Sequence, residues 1–122
     1  HKPTELMVNS LVRAHLTEQL ASFTQLANRG AELFIMGLFS LLDAMLDRPL
    51  EEAIKNLPLA QDVTEALLGA PGKLRDLLDL VTAYERGEWG CVTEKCARLG
   101  IDPPIVARSY EQAIRVVDEI LG

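Results

Sequence analysis

Few side chains in this 122-residue sequence combine the type and the spacing that catalysis or metal binding requires. His1 and His15 are the two histidines, and because no further imidazole can join His15, we interpret it as a partly buried helix residue. Cys91 and Cys96 are five residues apart and lack the Cys-x-x-Cys spacing of zinc and redox sites. We therefore predict free thiols, no bound metal and no cofactor.

Carboxylates are the remaining candidates for acid–base chemistry, because two of them held in one cleft can exchange protons. Those near the middle of the sequence are Glu18, Asp43, Asp47, Glu51 and Glu52. Most of these fit helix ends or solvated faces, whereas Asp43 is surrounded by apolar residues. We predict that Asp43 makes a hydrogen bond from one helix to another, with Arg13 or Ser40 as its partner.

Composition and charge narrow the classes of partner. The formal net charge of −6 argues against a broad nucleic-acid surface, which requires a basic excess. The turn Gly69-Ala-Pro-Gly72 has no following Lys-Ser or Lys-Thr pair, so it does not match a phosphate-binding loop. We find no signal peptide pattern and no apolar run of the about 20 residues that span a bilayer. These observations predict a cytoplasmic protein without nucleic-acid or membrane partners.

The most apolar stretch covers residues 31–46, with the sequence AELFIMGLFSLLDAML. Between Leu33 and Leu46 only Ser40 and Asp43 are conventionally polar. A helix that is apolar on nearly every side belongs inside a globular core, since a surface helix has one apolar stripe. We predict a single helix over 31–46 that is buried on its whole circumference, with the other helices around it.

Hydrophobic residues elsewhere also recur at helical spacing, and no alternating strand pattern occurs. Glycines, prolines and capping residues divide the chain into seven predicted helices joined by short turns: 3–28, 31–46, 50–57, 61–68, 73–85, 88–99 and a last helix from 103. A chain of this length with 48% apolar residues can bury one core. We therefore predict a single all-α domain over residues 1–122, a compact multi-helix bundle.

The first predicted helix has two apolar faces, which imply two packing partners. The longer stripe, predicted to pack on the 31–46 helix, consists of Val8, Val12, Leu16, Leu20, Phe23 and Ala27. Met7, Leu11 and Ala14 form a second, shorter stripe. Because soluble monomers rarely expose a large apolar patch, we predict that these three residues form a partner interface. A symmetric homodimer through this stripe is the simplest arrangement.

Two segments carry a resemblance to a known family. The run FIMGLFSLLDAMLDRPLEEAIKNLPLAQDVTEALLG and the later LLDLVTAYERGEW are similar to the HDOD domain, the HD-related output domain of bacterial signalling proteins. The resemblance covers residues 2–89 closely and the remaining helical tail loosely. It implies the C-terminal part of an HDOD domain, whose usual N-terminal helices would cover the Met7, Leu11 and Ala14 face. It also implies an upstream EAL-type cyclic-di-GMP phosphodiesterase domain in the full protein.

HDOD domains resemble HD metal phosphohydrolases that have lost their metal ligands. An active HD helix typically reads Gly-Leu-Leu-His-Asp, and the resemblance aligns Ser40 and Leu41 with its His-Asp pair. Arg13 aligns with the histidine that the preceding helix of an HD enzyme supplies. Serine and leucine cannot replace imidazole and carboxylate as ligands of a divalent metal. The resemblance therefore implies a degenerate HD site at Arg13, Ser40 and Leu41.

The sequence leads to one functional hypothesis with two alternatives. We expect a non-catalytic regulatory module of a bacterial signal transduction protein that contacts other protein domains, either the upstream domain or a signalling partner. The first alternative is a residual metal phosphohydrolase that uses Asp43 and neighbouring carboxylates. The second is a pocket between helices that senses a nucleotide or an apolar ligand.

Overall fold

The computed structural model describes residues 2–122, with side chains from Glu5 onward. Within that range 77% of the residues are helical and there are no strands, so the all-α multi-helix prediction is confirmed. The helices are α1 Lys2–Ala21, α2 Gly30–Phe39, α3 Leu42–Leu46, α4 Leu50–Ile54, α5 Gln61–Leu67, α6 Lys73–Arg86, α7 Trp89–Leu99 and α8 Pro103–Leu121, with a 3-10 turn at Ala27–Arg29.

Helix α1 is the element around which the others pack, because it contacts α2, α3, α6 and α8. One face meets α2, where the Ser10 hydroxyl donates a hydrogen bond of 2.6 Å to the Leu38 carbonyl oxygen. Another face carries Val8 and Val12, which line a cavity together with residues of α6 and α8. Helix α1 therefore has packing partners on more than one side, but the predicted assignment of its faces is wrong, because Val8 and Val12 pack toward α8 and not on α2.

The first helix is shorter than predicted, because α1 ends at Ala21 instead of residue 28. The hydroxyls of Ser22 and Thr24 donate to the carbonyl oxygens of Gln19 and Ala21, so side chains take the acceptors that a longer helix would use. As a result Phe23 is 52% exposed, and Ala27 lies in an exposed 3-10 turn. Both were predicted to belong to the core stripe, and both predictions are wrong.

The predicted 31–46 helix is two helices, so the described residues form eight α-helices instead of the seven predicted. Helix α2 ends at Phe39, and the chain turns through Ser40 and Leu41 before α3 begins. The Ser40 hydroxyl donates to the Gly37 carbonyl oxygen at 2.7 Å, which competes with the helical backbone pattern at that point. Leu33, Met36 and Gly37 are the buried residues of α2, and α3 has none. The prediction that this segment is buried on its whole circumference is therefore wrong.

Helices α1 and α2 approach each other most closely at Gly37. A Cβ atom added there would lie 2.8 Å from both the Arg13 carbonyl oxygen and Thr17 Oγ1, and 2.9 Å from the Cα of Ala14. Two of these three neighbours are backbone atoms of α1, so they cannot move away without shifting the helix. Glycine is therefore required at this position by the close contact of the two helices.

Helix α7 is held against α6 by an ion group around Asp76, which is only 9% exposed. Lys95 Nζ and Arg98 Nε each donate to this carboxylate at 3.2 Å. Burial alone would raise the pKa of the Asp76 carboxyl, but the hydrogen bonds from Lys95 and Arg98 outweigh burial and lower its pKa below the ordinary value. The group thus links the beginning of α6 to the second half of α7.

The contact at Gly37 predicts that two glycine substitutions have very different effects on the free energy of unfolding. Gly37→Ala should lower the free energy of unfolding by about 2 kcal/mol, because the new methyl group forces α1 and α2 apart. Gly90→Ala is the matched control: it lies in α7 with nothing within 4 Å of its Cβ position, and it should stabilise by about 0.5 kcal/mol. Urea unfolding followed by circular dichroism measures both, and equal effects would contradict the α1–α2 contact.

The lowered pKa of Asp76 predicts a pH dependence of stability. A carboxylate whose pKa is lower in the folded state contributes stability that is present above its unfolded pKa of about 3.9 and is lost as pH falls through the folded value. Asp76→Asn should therefore be less stable than wild type at pH 7 and should lose less stability between about pH 5 and pH 2. Asp118→Asn, at the exposed end of α8, controls for removal of a carboxylate. A wild-type pH profile in Asp76→Asn would contradict this role.

Candidate functional site

The strongest candidate site is a cluster of three side chains from three helices, Arg13 of α1, Ser40 after α2 and Glu85 of α6. Arg13 Nε and Nη2 donate to the two carboxylate oxygens of Glu85 at 3.1 and 2.5 Å. Arg13 Nη1 donates to Ser40 Oγ at 2.9 Å. The Arg13 side chain is 11% exposed and that of Glu85 is 22% exposed. We call this group the Arg13 cluster.

Local sequence positions each member of the Arg13 cluster. Ser40 comes at the point where α2 ends, and its hydroxyl accepts from Arg13 while donating to the Gly37 carbonyl oxygen. Glu85 lies in the last turn of α6, which ends at Gly87 in the left-handed conformation. On α1, the Thr17 hydroxyl donates to the Arg13 carbonyl oxygen at 2.7 Å. The cluster therefore joins the middle of α1 to the ends of two other helices.

The chemistry of the Arg13 cluster does not fit a divalent metal ion. Arginine is a permanent cation with five donors and no acceptor, so it repels a metal ion and occupies the carboxylate that could bind one. Its two parallel hydrogen bonds to Glu85 are the arrangement in which arginine binds carboxylate most strongly. A serine hydroxyl is a weak ligand in comparison with imidazole or carboxylate. The arrangement stabilises a helix junction.

The structure brings together two of the three residues aligned with the HD positions. Arg13 and Ser40 are hydrogen-bonded to each other, as described above. Leu41 is half-buried in the turn directly after Ser40 and has no polar atom in its side chain. Glu85 was not among the predicted site residues, because it is 72 residues from Arg13 in the sequence. The signal that could have indicated it is its position in the segment YERGEW, which contributes to the family resemblance.

Asp43 does not make the predicted hydrogen bond to Arg13 or Ser40. Its Oδ1 atom accepts from the backbone N–H of Ala44 at 2.9 Å, at the beginning of α3. The reason is the break between α2 and α3, which lets Ser40 face α1 while Asp43 begins a new helix. The prediction of a helix-to-helix bond at Asp43 is therefore wrong, and Glu85 is the carboxylate that Arg13 binds.

His15 is a partly buried helix residue, as predicted, on a different side of α1 from Arg13. Its ring meets the ring of Phe34 edge-on, with 5.0 Å between centroids. Its side chain is 19% exposed, and Nδ1 lies 4.0 Å from a carboxylate oxygen of Glu18. Within the part of the chain that the structure describes, no group of three or more His, Cys, Asp or Glu side chains could hold a metal ion.

The three residues of the predicted interface stripe, Met7, Leu11 and Ala14, differ in their burial in the structure. Ala14 is fully buried, and its Cα lies next to Gly37 of α2. Met7 is 52% exposed and Leu11 is partly buried. The inclusion of Ala14 in an exposed patch is therefore wrong, because α2 packs on that part of α1. The partner interface at Met7 and Leu11, and the homodimer, stay predictions.

Two further sequence predictions concern the cysteines and the membrane. Cys91 and Cys96 are free thiols, as predicted, and Cys96 is buried. Burial raises the pKa of the Cys96 thiol, which disfavours the reactive thiolate. Among the described residues, none of the helices has the length and apolar composition needed to cross a membrane.

A cavity of about 440 Å³ borders the Arg13 cluster between α1, the end of α6 and α8. Its apolar part comes from α1 and α8, and its polar part includes Glu85 itself. The lining residues are Val8, Asn9, Val12, Glu85, Arg86, Tyr110, Ile114, Val117 and Asp118. A molecule bound there would touch the carboxylate that holds Arg13.

Two curated proteins are similar to this chain. CdgJ, a cyclic di-GMP phosphodiesterase of Vibrio cholerae, is 38% identical over 119 residues, which is 98% of this chain and 28% of that protein. The uncharacterized protein YuxH of Bacillus subtilis is 38% identical over 96 residues, which is 79% of this chain and 22% of that protein.

The similarity to these proteins covers most of this chain and a small part of theirs. The chain spans about a quarter of the length of the curated relatives it matches. No family model matches the chain, and no solved structure matches it. The chain therefore corresponds to one module within a longer relative that is a cyclic di-GMP phosphodiesterase.

The Arg13 cluster predicts a large stability effect at one arginine. Arg13→Met should lower the free energy of unfolding by about 2 kcal/mol, because it leaves the partly buried carboxylate of Glu85 without its cation. Arg115→Met is the matched control, since Arg115 and Glu111 are both 69% exposed and their pair should contribute less than about 0.5 kcal/mol. Chemical denaturation measures both. If Arg13→Met is no more destabilising than Arg115→Met, the cluster does not hold the three helices together.

Proposed function

We propose that this chain is an HDOD domain that acts as a non-catalytic regulatory module of a bacterial, cytoplasmic signal transduction protein. In the full protein it is attached to an EAL-type cyclic-di-GMP phosphodiesterase domain, and it works by contact with that domain or with a signalling partner. The Arg13 cluster is the observation that carries the non-catalytic part of this proposal. The similarity to one portion of CdgJ supports the attachment to a phosphodiesterase.

The Arg13 cluster lies at the positions that the resemblance aligns with the metal site of HD enzymes. In the HD enzymes that the chain resembles, the positions aligned with Arg13, Ser40 and Leu41 provide metal ligands. Here the cation that neutralises Glu85 is the Arg13 side chain of the protein itself. Its guanidinium group donates hydrogen bonds to Glu85 from one edge and to Ser40 from the other. An internal arginine supplies the attraction between helices that a bound metal could otherwise supply, without a Lewis acid. This replacement supports a structural and regulatory role.

A second candidate function is ligand sensing, which the cavity beside Glu85 favours. Its volume of about 440 Å³ lies within the range of small-molecule sites, and it combines an apolar floor with several polar side chains. A ligand that displaced or attracted Glu85 would change the contact between α6 and α1. Saturable binding of a nucleotide without turnover, lost when Val12→Trp fills the cavity, would support this function over simple protein contact.

The proposal predicts that the protein does not hydrolyse phosphodiesters at this domain. The purified 122-residue chain, assayed with cyclic di-GMP and with bis(p-nitrophenyl) phosphate in the presence of Mg²⁺ or Mn²⁺, should not exceed the protein-free background. The physical reason is that the Arg13 cluster provides neither a metal ligand set nor a general base. A reproducible metal-dependent activity that Asp43→Asn abolishes would overturn the proposal and favour the residual phosphohydrolase.

A further inference from the structure

Helix α2 has an apolar side that no other part of the described chain covers completely. Its inward residues Leu33, Met36 and Gly37 are buried. Four further apolar residues of α2 are partly buried, Phe34, Ile35, Leu38 and Phe39, whereas Ala31 and Glu32 on the same helix are exposed. Phe34 packs on His15 of α1 and Phe39 packs against the core, so the outer side of α2, which carries Ile35, is the one that is incompletely covered.

The outer side of α2 continues into a groove of about 270 Å³. The groove runs between α2 and the segment that links α4 to α5, and its lining is Glu32, Ile35, Phe39, Leu57, Pro58, Leu59, Ala60 and Val63. Glu32 is the one charged residue in this set. We call this surface the α2 groove. Its composition fits apolar side chains better than a polar metabolite, which requires several converging polar groups.

The α2 groove lies in the most acidic part of the chain. Residues 31–68 contain seven acidic and two basic side chains, a net charge of −5, whereas the whole chain has a net charge of −6. Six of the seven carboxylates are exposed, and Asp43 is partly buried. Arg29, just outside this segment, binds both Glu32 and Asp62 and offsets one of these charges. The segment that contains α2 to α5, and with it every residue lining the groove, carries an excess of negative charge.

This charge distribution distinguishes between occupants of the groove. A second copy of the chain would bring two acidic surfaces together, which like-charge repulsion disfavours. A segment with apolar side chains flanked by lysine or arginine would gain both apolar burial and electrostatic attraction. We propose that the α2 groove docks an amphipathic segment of a partner protein whose apolar face is flanked by basic residues. This inference rests on the proposed function, since it names the surface and the partner chemistry of a protein-contact module.

Two synthetic peptides of about 18 residues serve as probes, because their chemistry is known. Both carry leucine and phenylalanine at positions i, i+3, i+4 and i+7 of a helix, and the flanking residues are lysine in one and glutamate in the other. The lysine peptide should bind and shift NMR resonances of α2 and of residues 57–63, and its affinity should fall as salt is added. The glutamate peptide should bind at least about tenfold more weakly.

Substitutions with matched controls locate the binding. Ile35→Glu should lower the affinity for the lysine peptide about tenfold. Ile120→Glu, at a 58% exposed isoleucine of α8, should leave that affinity unchanged. Glu32→Lys should lower the affinity for the lysine peptide about threefold and raise the affinity for the glutamate peptide. Glu94→Lys on α7 should change neither affinity. Circular dichroism checks that each variant is folded. Glu32→Lys changes an exposed side chain, so it keeps the test valid if Ile35→Glu does not fold.

Several outcomes would overturn the docking proposal without affecting the proposed function. They are equal binding of the two peptides, resonance shifts outside the α2 groove, or unchanged affinity in folded Ile35→Glu and Glu32→Lys variants. A wild-type dimer that Ile35→Glu dissociates would assign the groove to a second copy. If the full-length protein does not bind the lysine peptide, its own polypeptide covers the groove. Phosphodiester hydrolysis that requires Asp43 would instead overturn the non-catalytic function and leave the peptide result standing.

Discussion

The close approach of α1 and α2 at Gly37 is the constraint on which the rest of the structure depends. At this point a Cβ atom on α2 would lie 2.8 to 2.9 Å from the Arg13 carbonyl oxygen, the Ala14 Cα and Thr17 Oγ1, so no side chain larger than hydrogen fits. Because the two helices are so close, the end of α2 comes within hydrogen-bonding distance of Arg13. The same approach lets the edge of Phe34 reach His15. The position of Ser40, and therefore the Arg13 cluster, follows from this one contact.

The Arg13 cluster shows how an ion pair can organise the junction of three helices. It joins α1, the end of α2 and the end of α6, which are three elements far apart in sequence. Such a partly buried pair adds little net stability compared with apolar packing, but removal of one partner is costly. The main consequence of the pair is geometrical. The donors of the guanidinium have fixed directions, so all three hydrogen bonds form in only one relative arrangement of Ser40 and Glu85.

The outer side of α2 gives the module an asymmetric surface. Apolar side chains and an acidic surrounding occur together between residues 31 and 68, whereas the rest of the chain is nearly neutral. A surface of this type can attract a basic partner over some distance and then bury apolar groups on contact, so that charge supports selectivity and burial supports affinity. The cavity beside Glu85 lies on another side of the molecule, between α1 and α8. The two features could therefore serve different partners.

The sequence by itself determined the helical class and most helix positions, because periodicity, glycines and prolines act locally. It also identified Arg13 and Ser40, although through a family resemblance and not through spacing. Only the tertiary structure decided which face of α1 meets α2, that Ser40 interrupts the apolar helix, and that Glu85 is the partner of Arg13. The hydrogen bonds of Arg13 join residues 27 and 72 positions apart, and the contacts of Gly37 with α1 join residues 20 to 24 positions apart. Local pattern cannot specify them, because an apolar stripe states that a face is buried but not which helix covers it.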